Sequence, residues 1–180
     1  MSRLKLYLPL ALFALLAGLL YRGLNNDPTE LPSALIDRPF PAFELQSVES
    51  ADTLYTLAQL RGEVTLVNVW ATWCFACRLE HAMLNQLAEQ GVRIVGLNYK
   101  DSRPAALRWL QERGDPYQLN LFDPRGELGF DLGVYGAPET YLLDAEGIVR
   151  HRRVGVVDER IWAGELGQLY RKYQGQKRDE

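Results

Sequence analysis

Apolar positions fall into two regimes along this chain. From Leu4 to Leu24 the residues are apolar apart from Lys5 near one end and Arg22 near the other, whereas from Phe40 onward apolar residues come in short runs and helical repeats separated by Gly, Pro and acidic turns. As a helix rising about 1.5 Å per residue, the first stretch would reach roughly 31 Å, enough to span a bilayer. Its uninterrupted part, Leu6 to Tyr21, is shorter than a usual span, so a cleavable secretory signal is the alternative; no Ala-x-Ala cleavage site follows it. Arg3 and Lys5 precede that uninterrupted part and favour a cytoplasmic N-terminus, by a slight margin because Arg22 lies on the other side, and Lys5 and Arg22 can snorkel to the two interfaces. Residues 1–24 are therefore expected to be a signal anchor, and on either reading the bulk of the chain is exported. Residues 25–41 carry Pro28, Pro32, Pro39 and Pro41 among polar residues, which suits an extended tether. A single domain is expected over 42–173, with a polar tail at 174–180.

Within that domain, Phe43–Val48 and Thr53–Leu57 predict a short hairpin, and Leu57–Arg61 a turn of helix closed by Gly62. Val64–Trp70 is a central strand. Leu79, Met83, Leu84 and Leu87 recur at helical spacing after it, and Gly91 stops that helix before a buried strand at Val92–Leu97. Pro104 opens a helix carrying Leu107, Trp109 and Leu110 and ending near Gly114; a strand near Leu119–Phe122 and the turn Asp123-Pro124-Arg125-Gly126 follow. Thr140–Leu143 and Ile148–Val154 flank the turn Asp144-Ala145-Glu146-Gly147, and Ile161, Glu165, Leu166, Leu169 and Tyr173 trace one amphipathic last helix. Strands interleaved with helices predict a layered α/β sheet. The domain is long enough to bury its own core without a disulfide to hold it. A formal net charge of -3 gives no basic footprint for nucleic acid.

The chemistry is concentrated in the only two cysteines, Cys74 and Cys77, in Trp73-Cys74-Phe75-Ala76-Cys77, where the apolar run meets the helical pattern. Two cysteines placed at random in a chain of this length take this spacing about 1% of the time, and the spacing favours thiol exchange. At the first turn of a helix the first sulfur lies beside unpaired N–H groups and the positive end of the helix dipole, which stabilise its thiolate. Cys74 is thus the expected nucleophile. Cys77, one turn later on the same face, is placed to attack a mixed disulfide on Cys74 and release the partner reduced. Three alternatives compete: a structural disulfide, which closes too small a loop to constrain the unfolded chain much; a zinc site recruiting His81 and His151, the only histidines, the second in a charged strand; and an inert buried pair. No metal and no cofactor are expected, and His81 is read as structural.

Val69-Trp70-Ala71-Thr72-Trp73-Cys74, the Cys-x-x-Cys, and Ala137-Pro138 some sixty residues on resemble the thioredoxin fold with its cis-proline loop. Arg78-Leu79-Glu80-His81, Gly96-Leu97-Asn98-Tyr99-Lys100-Asp101 and Gly133-Val134-Tyr135-Gly136-Ala137-Pro138-Glu139-Thr140 resemble one subfamily, the DsbE/CcmG group of membrane-tethered thiol:disulfide oxidoreductases of bacterial cytochrome c maturation. The resemblance covers nearly the whole exported domain. It implies a thioredoxin fold, a mixed central sheet flanked by helices, with an N-terminal hairpin extension and one N-terminal transmembrane helix. It further implies a protein of the bacterial inner membrane with a periplasmic catalytic domain that keeps the Cys-x-x-Cys-His haem-attachment cysteines of apocytochrome c reduced, directly or through a partner thiol protein of the maturation machinery. A membrane thiol reductase of the DsbD or CcdA type would resupply electrons, which an oxidising periplasm requires.

The resemblance also implies roles around the dithiol. Family members often carry Pro after the first cysteine; Phe75 stands here instead, keeps its N–H and adds an aromatic surface, and with Ala76 brings no charge, so no strong oxidant is implied. Ordinary thioredoxins bury an acid where this chain has Asn68, and an amide cannot take a proton in that role. Glu80 and Glu139 are placed around the dithiol by the resemblance, where their charge would oppose thiolate formation. Glu80 is then the expected proton relay for Cys77, against the alternative of a solvated first-turn Glu favoured by the helix dipole. A cis bond before Pro138 would aim the Ala137 backbone at Cys74 to pair with an extended substrate segment, with Tyr135, Phe75 and Trp73 as walls or as plain packing. Rival functions are a general exported thioredoxin-like or peroxide-linked reductase, and a binding module whose thiols only trap a partner; an intact resolving cysteine argues against the latter.

Overall fold

A computed structural model describes residues 3–24 and 33–176, in two units, one of them a helix by itself. That helix, α1, runs Arg3–Leu24 with Pro9 inside it. Its described side chains, Tyr7 and Pro9 to Arg22, are exposed, Leu10, Phe13, Leu16 and Leu20 among them. Among the described side chains no helix is long and apolar enough to cross a membrane. Residues 25–32 of the expected tether and 177–180 of the expected tail lie outside the described residues.

The second unit is built on strands β1 (Glu44–Ser47), β2 (Leu54–Thr56), β3 (Thr65–Trp70), β4 (Ile94–Tyr99), β5 (Leu119–Asp123), β6 (Glu139–Leu143) and β7 (Val149–Val154). They form one sheet in the order β2-β1-β5-β4-β3-β6-β7. β3 and β4 are buried along their whole length, which is why both are nearly continuous apolar runs, and they pair in parallel with Leu66 beside Ile94 and Trp70 beside Asn98. A parallel pair needs a crossover, supplied here by α2 (Phe75–Glu89); α3 (Arg103–Arg113) makes the next one to β5. β6 returns antiparallel to β3, putting Glu139 opposite Val69, and β7 closes that side with a register shift at Leu142/Leu143. The expected hairpin, β1 with β2, extends the opposite side through an antiparallel β1–β5 pairing.

The sheet separates two apolar layers, and strand alternation sorts residues between them. Leu66 and Trp70 face a layer made by Leu84 and Leu87 of α2, Trp109 and Leu110 of α3, and Leu166 and Tyr170 of α6 (Glu165–Gln176). Val67 and Val69 face the other, with Phe40, Leu60, Leu97 and Leu128. At the end of α2, Gly91 takes φ 82°, a left-handed conformation that costs glycine little, and Val92 N–H closes on Leu87 C=O at 3.0 Å before β4 begins.

Several expectations are corrected. The packed chain starts earlier than residue 42: Asp37 N–H donates to Val149 C=O at 2.8 Å, Phe40 N–H to Gly147 C=O at 2.9 Å, and the Phe40 ring is buried. The single last helix is two, α5 (Glu159–Ala163) and α6, because Gly164 leaves helical geometry (ψ -144°) and the bare Cα of Gly167 lies against the Trp162 carbonyl. A five-residue helix, α4 (Glu127–Asp131), is too short to show periodicity; Asp123 starts it by accepting from Glu127 N–H and Gly129 N–H, each at 2.9 Å. On α2 the apolar spacing misplaces the buried face. Cys77, Glu80, His81, Leu84 and Leu87 point inward, while Leu79 is 61% exposed.

Candidate active site

β3 ends in the core and the chain turns through Ala71, Thr72 and Trp73 into α2, so the cysteines emerge where a buried strand meets a helix N-terminus. Cys74 is the N-cap of α2, and Cys77 N–H donates to Cys74 Sγ at 3.0 Å. The orphan donor that usually takes a Ser or Asp oxygen here takes a sulfur, which favours the thiolate form of Cys74 when the pair is reduced. Cys74 and Cys77 are joined as a disulfide with Cα atoms 5.3 Å apart. Both are almost fully buried, whereas Trp73 and Phe75 beside them are 56% and 72% exposed. The Trp73 indole N–H donates to Lys100 C=O at 3.0 Å, so this exposed ring has a fixed edge.

Beneath the dithiol lies a closed polar network. Glu80, one turn after Cys77, is 1% exposed, which removes the solvated first-turn alternative. Its Oε1 accepts from Asn68 Nδ2 and its Oε2 from Val157 N–H, both at 2.9 Å. Asn68 also donates to Thr140 Oγ1 at 3.1 Å and accepts the Tyr117 hydroxyl at 2.9 Å. Burial pushes the Glu80 carboxyl up to about 7, against the opposing pull of the Val157 and Asn68 hydrogen bonds. Burial, with the Glu80 charge behind it, likewise pushes the Tyr117 phenol up. A carboxyl that is near half-ionised at neutral pH can both take and return a proton.

The Ala137-Pro138 peptide is cis, and Pro138 C=O accepts from Gly155 N–H at 2.9 Å. Glu139 follows it, fully buried, with its charge paired inside the protein. Its Oε2 accepts from Arg152 Nε and the Tyr141 hydroxyl, each at 2.9 Å, and Arg152 also donates to Gly133 C=O at 3.0 Å. The Arg152 guanidinium stands 5.2 Å from the ring centre of Tyr135, which is 67% exposed. Tyr135 N–H donates to Glu139 Oε1 at 3.3 Å. The loop 133–139 is thus tied down by one Arg-Glu pair. His81 is held by other partners: Nε2–H donates to Gly114 C=O at 2.9 Å, the ring packs edge-on to Trp109 and Tyr117, and burial lowers its pKa. His151 lies on β7, 3.9 Å from Glu165. Among the described residues, no group of three or more His, Cys, Asp or Glu is arranged to hold a metal ion.

Sequence reasoning named Asn68 and Glu80 but missed Tyr117, Thr140, Val157 and Arg152. None of the four carried a local signal, since each meets its partner only across the packed sheet.

The redoxin family model matches residues 36–166. Over 172 residues the chain is 56% identical to the thiol:disulfide interchange protein DsbE of Pseudomonas aeruginosa, covering 96% of each chain. It is 50% identical over 179 residues to that of Escherichia coli K12, covering 96% of this chain and 97% of the relative. The fold is shared with a secreted thiol-disulfide isomerase from Corynebacterium glutamicum, with TM-score 0.63 at 23% identity over 75% of this chain and 89% of that one. The paired cysteines and these relatives make the reaction dithiol-disulfide exchange through Cys-x-x-Cys. The chain therefore belongs to the DsbE family of thiol:disulfide oxidoreductases, on a thioredoxin-like fold.

Proposed function

We propose that this protein is the reductant of apocytochrome c haem-attachment cysteines, acting on them directly or through a partner thiol protein of cytochrome c maturation. The buried Glu80 carboxyl, one turn beyond Cys77 on α2 and raised to about 7, carries the reductant part of the reading, because a proton acceptor for the resolving cysteine serves release of a reduced product. Cys74 thiolate attacks the substrate disulfide, forming one S–S bond and expelling the second substrate sulfur as thiolate. Cys77 gives its proton to Glu80 and attacks Cys74 Sγ; the intramolecular disulfide re-forms and the substrate leaves with both electrons. The cis Ala137-Pro138 peptide offers backbone for an extended segment to pair with as an added strand, and the exposed rings of Tyr135, Trp73 and Phe75 are the candidate walls of that groove. Electrons return from a membrane thiol reductase of the DsbD or CcdA type.

The same reading places the domain in the periplasm on a single inner-membrane anchor with a cytoplasmic N-terminus. The 22-residue helix α1, with leucines exposed along it, supports the anchor. The test reduces the full-length protein in detergent and mixes it with an oxidised Cys-x-x-Cys-His peptide or with oxidised insulin. Electron transfer to the haem-attachment peptide at least tenfold faster is the expected result. Equal rates would instead favour a general reductase, and stable capture without reduction a binding module.

A further inference from the structure

The turn that leads into Cys74 is tied to the loop between β4 and α3. Asp101 bridges the two: Thr72 N–H donates to its Oδ2 at 2.6 Å and the Thr72 hydroxyl to its Oδ1 at 2.8 Å. From its own side the carboxylate accepts from Ser102 N–H at 2.8 Å and Asn98 Nδ2 at 3.1 Å. One residue earlier, Lys100 C=O receives the Trp73 indole N–H. Lys100 has φ 48°, a left-handed conformation that a residue with a side chain adopts only when its surroundings hold it there. They do so here. Its N–H donates to Asp123 C=O at 2.9 Å, its ammonium lies 5.0 Å from the Tyr99 ring centre, and its aliphatic chain fills the space a Cβ on Gly126 would need. The backbone twist at Lys100 turns its carbonyl, and the carboxylate that follows, toward Thr72 and Trp73.

We propose that Asp101, supported by Lys100, is a positioning residue for the nucleophile: by clasping Thr72 and Trp73 it holds Cys74 at the N-cap of α2, where Cys77 N–H reaches Sγ. The backbone bond inside the turn, Cys74 N–H to Ala71 C=O, is 3.2 Å, longer than either Thr72 bond. Charge-assisted bonds to a carboxylate are also the stronger kind. Without the clasp the turn loosens, the cap weakens and the Cys74 thiolate loses its donor.

The inference rests on Cys74 being the attacking sulfur. Reduced full-length protein is alkylated with iodoacetamide from about pH 5 to pH 9, across the range in which activated thiols titrate, and the Cys74 adduct is quantified by mass spectrometry. In Asp101→Ala the Cys74 rate at neutral pH falls at least threefold and the profile moves to higher pH. Asp101→Asn keeps an oxygen for Thr72 N–H and an amide for the Thr72 hydroxyl but turns that amide on Ser102 N–H, so its profile moves in the same direction as that of Asp101→Ala and less far. Thr72→Val, which loses only the hydroxyl bond, moves in the same direction as Asp101→Ala and less far. Lys100, Arg78 and Glu80 of α2, and Glu139 of β6 are unchanged throughout. An unshifted Asp101→Ala profile overturns the proposal, as does an equal downward shift in both Asp101 variants, which is what loss of a nearby negative charge alone would produce. If Asp101→Ala fails to fold, an unshifted Thr72→Val overturns it instead. Alkylation confined to Cys77 removes the nucleophile assignment and this proposal with it, whereas an unmoved Cys74 profile removes only the proposal.

Discussion

Glu80→Gln keeps the shape of the side chain and abolishes its titration, so it isolates the free energy stored in one buried carboxyl. The group goes from 4.5 in the unfolded chain to about 7 in the folded protein. A difference of about 2.5 corresponds, at about 1.4 kcal/mol for each, to roughly 3 kcal/mol. The direction follows from the raised value. Below 4.5 the carboxyl is protonated in both states and its stability contribution is fully present; as pH rises toward 7 the unfolded chain ionises first, and above 7 the folded protein bears the whole cost of a buried charge. Stability contributed by the neutral carboxyl is therefore lost between those two values. Glutamine has one acceptor for the two donors that face Glu80, Asn68 Nδ2 and Val157 N–H, so the variant carries a penalty of about 1–3 kcal/mol. That penalty does not vary with pH, and the titrations of His81 and His151 are common to both proteins. Urea unfolding of the oxidised full-length protein and of the variant, from about pH 4 to pH 8, should show the stability difference moving by roughly 3 kcal/mol in the variant's favour. A difference that stays constant within about 1 kcal/mol would refute the buried, titrating Glu80 on which the proton relay depends.

Replacing Cys77 with Ala should leave Cys74 able to attack but not to release, so mixed disulfides accumulate on non-reducing gels; Cys74→Ala should give none. In the otherwise intact protein, Glu80→Gln should slow the resolving step measured by rapid quench and let the same mixed disulfide build up transiently; an unchanged resolution rate would remove Glu80 from the mechanism. Arg152→Met strands the fully buried Glu139 carboxylate, with an expected loss of about 3–5 kcal/mol in urea unfolding. Adding Glu139→Gln to it should recover much of that loss, and no recovery would show that the pair is not what stabilises the loop.

What the sequence determined by itself was whatever depends on neighbours in the chain. The strands β3 and β4 show as apolar runs because both faces are buried, α2 shows as a helix opened by a turn and stopped by Gly91, and the relation of Cys74 to Cys77 is a spacing of three on that helix. Tertiary structure alone decided which face of α2 is inside. The apolar spacing favoured Leu79, but burying Cys77 and Leu84 brings Glu80 inward and leaves Leu79 in solvent, since residues three and four apart share a helix face. Whether Glu80 is a solvated charge or a buried acid then depends on Val157, 77 positions away, and on Asn68, 12 away on β3. Arg152 with Glu139, and Asp101 with Thr72, are likewise pairs that meet only once the sheet is ordered. No local pattern encodes such meetings, because burial and charge pairing belong to the packed chain, and it is these that set the protonation and placement of groups whose identities the sequence already names.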